Sequence, residues 1–186
     1  LKVYSPAWVV KKIGQSTTFP SKPNTLSVTI ATSVPLVNGS TVTISGLTGS
    51  ATPDGTLSLA DVGGSGFGTY FSATGSWTGL PGTLVVTVTQ DTVAGTQYVF
   101  SFALTNPGCR QGPLNVTIAS SPLCFPTVLM CQDMAAPAAS AAGFYFPAPG
   151  DAQALYVKAP SFLLFSAWQK NPYPGAANAL HFEFSS

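Results

Sequence analysis

Between about residues 24 and 120 the chain alternates apolar and polar positions with a period of two, and no other feature constrains the fold as much. Leu26, Val28 and Ile30 point one way, while Ser27, Thr29 and Ala31 point the other. Val42 and Ile44 alternate with Thr41, Thr43 and Ser45. The same holds for Leu84, Val86 and Val88, for Tyr98, Phe100, Phe102 and Leu104, and for Leu114, Val116 and Ile118. The outward positions are mostly Thr and Ser, which suit strands and stay hydrated without charge. Turn signals separate the runs: Asn38-Gly39, Pro53-Asp54-Gly55, Gly63-Gly64, Pro81-Gly82, Ala94-Gly95 and Asn106-Pro107-Gly108. No stretch carries a capped 3.6-residue period, so the predicted class is all-β, with a sandwich as the architecture.

The stretch from Asp91 to Phe102 sharpens that expectation. Gly95-Thr96-Gln97-Tyr98 followed by alternation is similar to the corner between the last strands of immunoglobulin-like and fibronectin-like sandwiches. In such a corner a Tyr at the strand start returns its hydroxyl to the backbone upstream. Residues 1–120 are therefore expected to form an immunoglobulin-like/fibronectin-like β-sandwich, with 1–12 as a leading strand segment. Residues 121–154 read as a Cys/Ala/Pro-rich connector, with one short aromatic strand at Gly143–Pro147.

An internal repeat sets the end of the chain apart. Aligned without gaps at an offset of 154 residues, residues 1–32 and 155–186 share seven identities. They are Leu1/Leu155, Val3/Val157, Pro6/Pro160, Gln15/Gln169, Pro20/Pro174, Asn24/Asn178 and Leu26/Leu180. Trp8/Phe162, Phe19/Tyr173, Val28/Phe182 and Ile30/Phe184 are conservative pairs at the same offset. Residues 155–186 are thus expected to be a strand pair that begins a second repeat or is donated to a neighbour. Its assembly positions are Leu155, Val157, Phe162, Leu164, Leu180, Phe182 and Phe184, spread over strands Leu155–Phe165 and Ala179–Phe184. A start at Leu1 and a stop in mid-alternation lead to the further expectation that the chain is a segment of something larger.

Composition narrows function. Only 7% of the residues are charged against 45% hydrophobic, and the net charge is +1. Typical domains carry about 25% charge, and nucleic-acid binders need a basic face that this chain cannot supply. No apolar run reaches the roughly 20 residues of a membrane helix. An acid–base enzyme would have to draw on six carboxylates and one His. Asp54, Asp61, Asp91, Asp133, Asp151 and Glu183 fall mostly in turn contexts with no pair in sequence, and His181 should face solvent beside Glu183. No catalytic, cofactor or metal site is expected. The three cysteines allow one internal disulfide at most. Cys109 and Cys124 should flank the Leu114–Ile118 strand roughly 20 Å apart, which favours Cys124–Cys131 first and Cys109–Cys131 second. Two sequons, Asn38-Gly39-Ser40 and Asn115-Val116-Thr117, place their asparagines at accessible positions, so Asn38 and Asn115 are candidate N-glycosylation sites. Ser-Pro and Ala-Pro pairs such as Ser5-Pro6 and Ala148-Pro149 are candidates for hydroxyproline glycans.

Four segments carry a resemblance: Ile13–Pro20, Asn24–Ile30, Val42–Gly49 and Gly95–Pro107, with Asn171–Asn178 similar to the first of them. Together they resemble a repeat found in tandem in very long extracellular surface proteins of flagellated algae and other protists, including mastigoneme-like filament proteins. The resemblance covers about residues 9–120 and 165–186. It implies an extracellular structural role at the cell surface or on a flagellar appendage, and it transfers no catalytic residue. The function it leads us to expect is a structural subunit of a glycosylated filament, tube or sheath. The expected partners are copies of the chain itself, in an open helical or linear polymer, and covalent glycans. The alternative expectation is a carbohydrate-binding or adhesive module, with Trp77, Tyr70 and Phe71 near Gly-rich loops stacking on sugars.

Overall fold

A computed structural model describes residues 5–122, 125–134, 148–158 and 164–185. Thirteen strands and one helical turn are defined among them: β1 Trp8–Gln15, β2 Pro23–Thr32, β3 Thr41–Ser45, β4 Gly55–Ser58, β5 Ala60–Asp61, α1 Phe67–Tyr70, β6 Phe71–Thr78, β7 Thr83–Val88, β8 Tyr98–Thr105, β9 Thr117–Ser121, β10 Val128–Leu129, β11 Cys131–Gln132, β12 Leu164–Gln169 and β13 Leu180–Ser185. They form a five-stranded sheet in the order β11-β1-β2-β8-β5 and a six-stranded sheet in the order β10-β9-β3-β7-β6-β4. Among the described residues, β12 and β13 pair only with each other. The two large sheets pack face to face as an all-β sandwich. Every pairing is antiparallel except β1 with β11. Among the described residues, no helix is long and apolar enough to cross a membrane.

The period-two pattern explains the core directly. Leu26, Val28 and Ile30 of β2 and Phe100, Phe102 and Leu104 of β8 face the same way across matched ladder positions. They meet Val42, Ile44, Leu84, Val86 and Ile118 of the opposite sheet in one buried cluster. Each such side chain contributes about 1.5–3 kcal/mol on burial. At one end Phe67 stacks between Phe71 and Phe100, with ring centroids 4.7 and 4.4 Å apart. The Tyr98 corner forms as a contact, because the Val93 N–H donates to the tyrosine oxygen at 2.9 Å. Its place differs from expectation: β8 pairs with β2 in mid-sheet, and β9, β10 and β11 still follow it.

The sandwich extends beyond the expected boundary at residue 120. β10 adds to β9, and β11 adds to β1 with Lys12 opposite Cys131. Residues 148–158 then return as a strap across the same sandwich. Gln111 and Val157 exchange backbone hydrogen bonds of 3.1 and 3.0 Å, and Ala152, Ala154, Leu155 and Val157 are buried. Lys158 closes the strap with an ion pair to Asp151 at 2.6 Å. Leu155 and Val157, expected in the donated strand pair, are therefore core residues of the first sandwich. The single strand expected over Leu155–Phe165 does not form, because the described residues 155–158 hold only the isolated bridge of Val157 to Gln111. Phe162 and the aromatic segment 143–147 lie outside the described residues. The Leu114–Ile118 run also shifts: its strand begins at Thr117, while Val116 and Ile118 keep their inward positions.

The disulfide expectation is corrected as well. Cys109 and Cys131 are both free and exposed, so neither Cys109–Cys131 nor Cys124–Cys131 forms. Cys124 itself lies outside the described residues. The ladder puts Cys131 beside Lys12, three residues short of the end of β1. Cys109 follows Pro107 and Gly108, which border Ser21 in the turn beyond that end. Three strand residues alone span about 10 Å, more than the Cα separation a disulfide tolerates.

Candidate functional site

Asn24 lies at the start of β2, and its amide organises the loop that joins β2 to β1. Its Oδ1 accepts from the N–H groups of Ser16 and Thr17 at 3.1 and 3.3 Å. Its Nδ2 donates to Gln15 Oε1 and to Asn106 Oδ1, both at 2.8 Å. Asn106, on the turn after β8, donates in return to the carbonyls of Thr17 and Phe19 at 3.2 and 2.8 Å. Gln15 Nε2 donates to the carbonyls of Asp151 and Tyr156 in the strap, each at 2.8 Å. Three buried carboxamides thus satisfy one another and tie hairpin, sheet and strap together, as buried polar groups must be tied.

The hairpin β12–β13 reproduces this unit. All six of its ladder pairs, from Gln169 opposite Leu180 to Leu164 opposite Ser185, match pairs of β1–β2 at the 154-residue offset. Asn178 repeats the amide pattern. Its Oδ1 accepts from the Asn171 N–H at 2.9 Å, where Thr17 donates to Asn24, and its Nδ2 donates to Gln169 Oε1 at 3.0 Å. Ser21 and Gly175, equivalent positions in the two loops, both take left-handed backbone, with φ of 54° and 74°. Local sequence therefore dictates the same hairpin twice.

The surroundings differ completely. In β2, Leu26, Val28 and Ile30 are at most 1% exposed; in β13, Leu180, Phe182 and Phe184 are 65%, 62% and 66% exposed. β2 has β8 along its far edge, whereas β13 has no strand along its own among the described residues. On the other face Trp168 stacks on His181 at 5.5 Å, with the rings nearly parallel. His181 and Glu183 are exposed, like Leu180, Phe182 and Phe184. This exposed, apolar hairpin, with no strand along β13 among the described residues, is the candidate site.

The other candidates fall elsewhere. Asn38 is exposed at a turn tip whose N–H donates to Asp91 Oδ1 at 2.7 Å, and Asn115 is exposed just before β9. Trp77 is 1% exposed with its indole N–H donating to the Thr52 carbonyl, and Phe71 is buried against Phe67. Neither can stack on a sugar, and Tyr70 lies edge-on to Tyr98. Asp54 and Asp61 hold loops by accepting backbone N–H groups. At Asp61, partial desolvation pushes the carboxyl up, but hydrogen bonds from the Ser65 hydroxyl and from the N–H groups of Gly68, Ser65 and Gly66 outweigh it. The net displacement is downward from the ordinary aspartate value. Among the described residues, no three His, Cys, Asp or Glu side chains gather as metal ligands would.

Sequence reasoning overlooked Asn106, which looked like one residue of an Asn-Pro-Gly turn. The signal lay in the repeat, where Gln15/Gln169 and Asn24/Asn178 are polar identities inside apolar strands and so call for a third amide. No protein-family model matches the chain, and no curated protein is similar to it.

Proposed function

We propose that this chain is a structural subunit of a glycosylated extracellular filament, tube or sheath, assembled head-to-tail by sandwich packing and strand addition. The observation that carries the reading is the hairpin β12–β13, which leaves uncovered the apolar face that its own internal duplicate buries. A strand pair alone is marginal in water, so this face and the β13 edge favour a neighbour. Addition of this hairpin to a different surface of a neighbour is a heterologous contact, and it propagates as an open polymer. The low charge supports the same reading, because few ions have to be desolvated between packed subunits. Exposed Asn38 and Asn115 are where glycans would supply the hydration that charge does not.

Imaging of native material tests this. The expected result is a regular one-dimensional lattice, with extra density on Asn38 and Asn115 and with β13 inside an intermolecular or intermodular sheet. Isolated particles with β13 facing solvent overturn the structural role. Sugar stacking on Trp77 or Phe71 has no support from their buried positions.

A further inference from the structure

Three elements close the first hairpin. β8 lies along β2 from Pro23 opposite Thr105 to Ile30 opposite Tyr98. The Asn106 carboxamide enters the loop between Ser16 and Asn24, and the strap carbonyls of Asp151 and Tyr156 meet Gln15. The second hairpin presents equivalent groups at the same offset: the far edge of β13, the Asn178 amide, Gln169, and the carbonyls of Asn171 and Tyr173, the latter also accepting from the Ala176 N–H at 3.4 Å. Where Asn106 enters the first loop, the second has a hollow lined by Lys170, Asn171, Tyr173, Ala177 and Asn178.

We infer that β12–β13 is closed by the remaining strands of a sibling sandwich, of the same topology but different core. That sandwich lays a β8-like strand along β13 and inserts an asparagine carboxamide into this hollow. The closure deepens the strand-addition half of the proposed function, and it requires neither glycans nor a polymer. Two observations identify the occupant as a sibling and not a second copy of residues 5–158. In an intact copy β2 already occupies the edge of β8, so no place is vacant. The side chains also fail to match: Val28 and Ile30 become Phe182 and Phe184, and Gly14 becomes Trp168. The Gly14 site is filled, since a Cβ there would stand 3.0 Å from Asp133 Cβ. A core packed around Val and Ile does not admit two phenylalanines, and an outer face closed over Gly14 by Asp133 does not admit a tryptophan, without rearrangement. The sibling therefore carries smaller residues opposite positions 182 and 184, and its equivalent of Asp133 stands back from Trp168.

The inference is tested by extending the full chain after residue 186 with a copy of its own residues 33–158, which continues the 154-residue register. One version keeps the native hairpin; the other carries Phe182→Val and Phe184→Ile, matching the core that the extension brings, and Trp168→Gly, matching its Asp133 on the outer face. Amide exchange in β13 is read against the unextended chain. The expected result is slowing on the order of 100-fold in the matched version and less in the native one. Adding Asn178→Ala to the matched version should remove roughly tenfold of that protection. Equally fast exchange in all versions overturns the closure. Protection indifferent to Asn178→Ala overturns the asparagine socket, and equal or better protection with the native residues overturns the sibling's wider core. Failure here beside a regular lattice in native material leaves the polymer without hairpin donation. Success here without a lattice leaves the closure and removes the polymer.

Discussion

The hairpins β1–β2 and β12–β13 share register, loop conformation and the amide pairing of Asn with Gln, yet one is buried and the other is bare. The difference separates two layers of causation. Ladder register, the left-handed loop residue and the Asn-to-Gln hydrogen bond are decided within each hairpin's own residues. Burial is decided by what lies alongside: β8, Asn106 and the strap for the first hairpin, and nothing described for the second. The second hairpin holds its shape through its ladder, its amide pair and the Trp168–His181 stack.

The strongest way to break this comparison is to truncate the same side chain in both hairpins. Leu26→Ala removes a side chain that is 0% exposed between two sheets, and it should lower unfolding free energy by about 2–5 kcal/mol. Leu180→Ala removes one that is 65% exposed, and it should change stability by no more than about 0.5 kcal/mol. Denaturant melts of the two variants check both numbers. Comparable losses would mean that the second hairpin is already covered in solution, and the contrast would disappear.

A smaller effect comes from the loops, where the chain itself supplies the exchange to make. Ser21 holds a left-handed backbone that disfavours a side chain, and the duplicate uses Gly175 at that place. Ser21→Gly relieves the strain but frees the unfolded chain, so the net gain should be a few tenths of a kcal/mol, at most about 1. Gly175→Ser should cost its hairpin a similar amount. Because the first hairpin is coupled to the core, Ser21→Gly should shift the global melt. Gly175→Ser should appear only as faster amide exchange within β12–β13.

Much of this was legible in sequence, and the rest was not for identifiable reasons. Leu26, Val28 and Ile30 announced their face because period-two alternation is enforced by the pleat. The duplicated register followed from a gap-free alignment. β10 and β11 were not legible: two residues each show no periodicity, and they form because β9 and β1 offer edges to pair with. Leu155 and Val157 were assigned to the wrong unit because the duplicated segment begins before the point where the fold changes hands. The repeat starts at Leu155, but the sandwich closes only after Lys158. The glycines near Trp77 suggest exposure, and the side chain is nevertheless buried. Its inward phase with Gly75 in β6 was the better guide.

The smallest effect concerns the edge of β8 opposite the first hairpin, and it brings the two hairpins closer together. β5 and the loop after it cover that edge: Asp61 lies opposite Phe100, Val62 N–H donates to the Val99 carbonyl, and the Ser65 hydroxyl exchanges hydrogen bonds with Val99 at 2.8 and 3.0 Å. Asp61 holds Ser65 through both its hydroxyl and its N–H. Its carboxyl is displaced downward in the folded chain, so the folded state binds the proton less readily than the unfolded chain. The carboxylate's contribution is therefore fully present above the ordinary aspartate value of about 3.9, and it is lost as pH falls through the lower folded value. The first hairpin contains no carboxylate of its own to respond in that window. Below about pH 4, amide exchange at Ser65 and Val99 should rise before the ladder of β1–β2 loosens. Asp61→Asn should abolish that pH dependence while leaving the global melt almost unchanged at neutral pH. Simultaneous loss of both regions on acidification would show that β8 holds β2 only while its other edge is covered. The first hairpin would then depend on a cover that the second one has none of among the described residues.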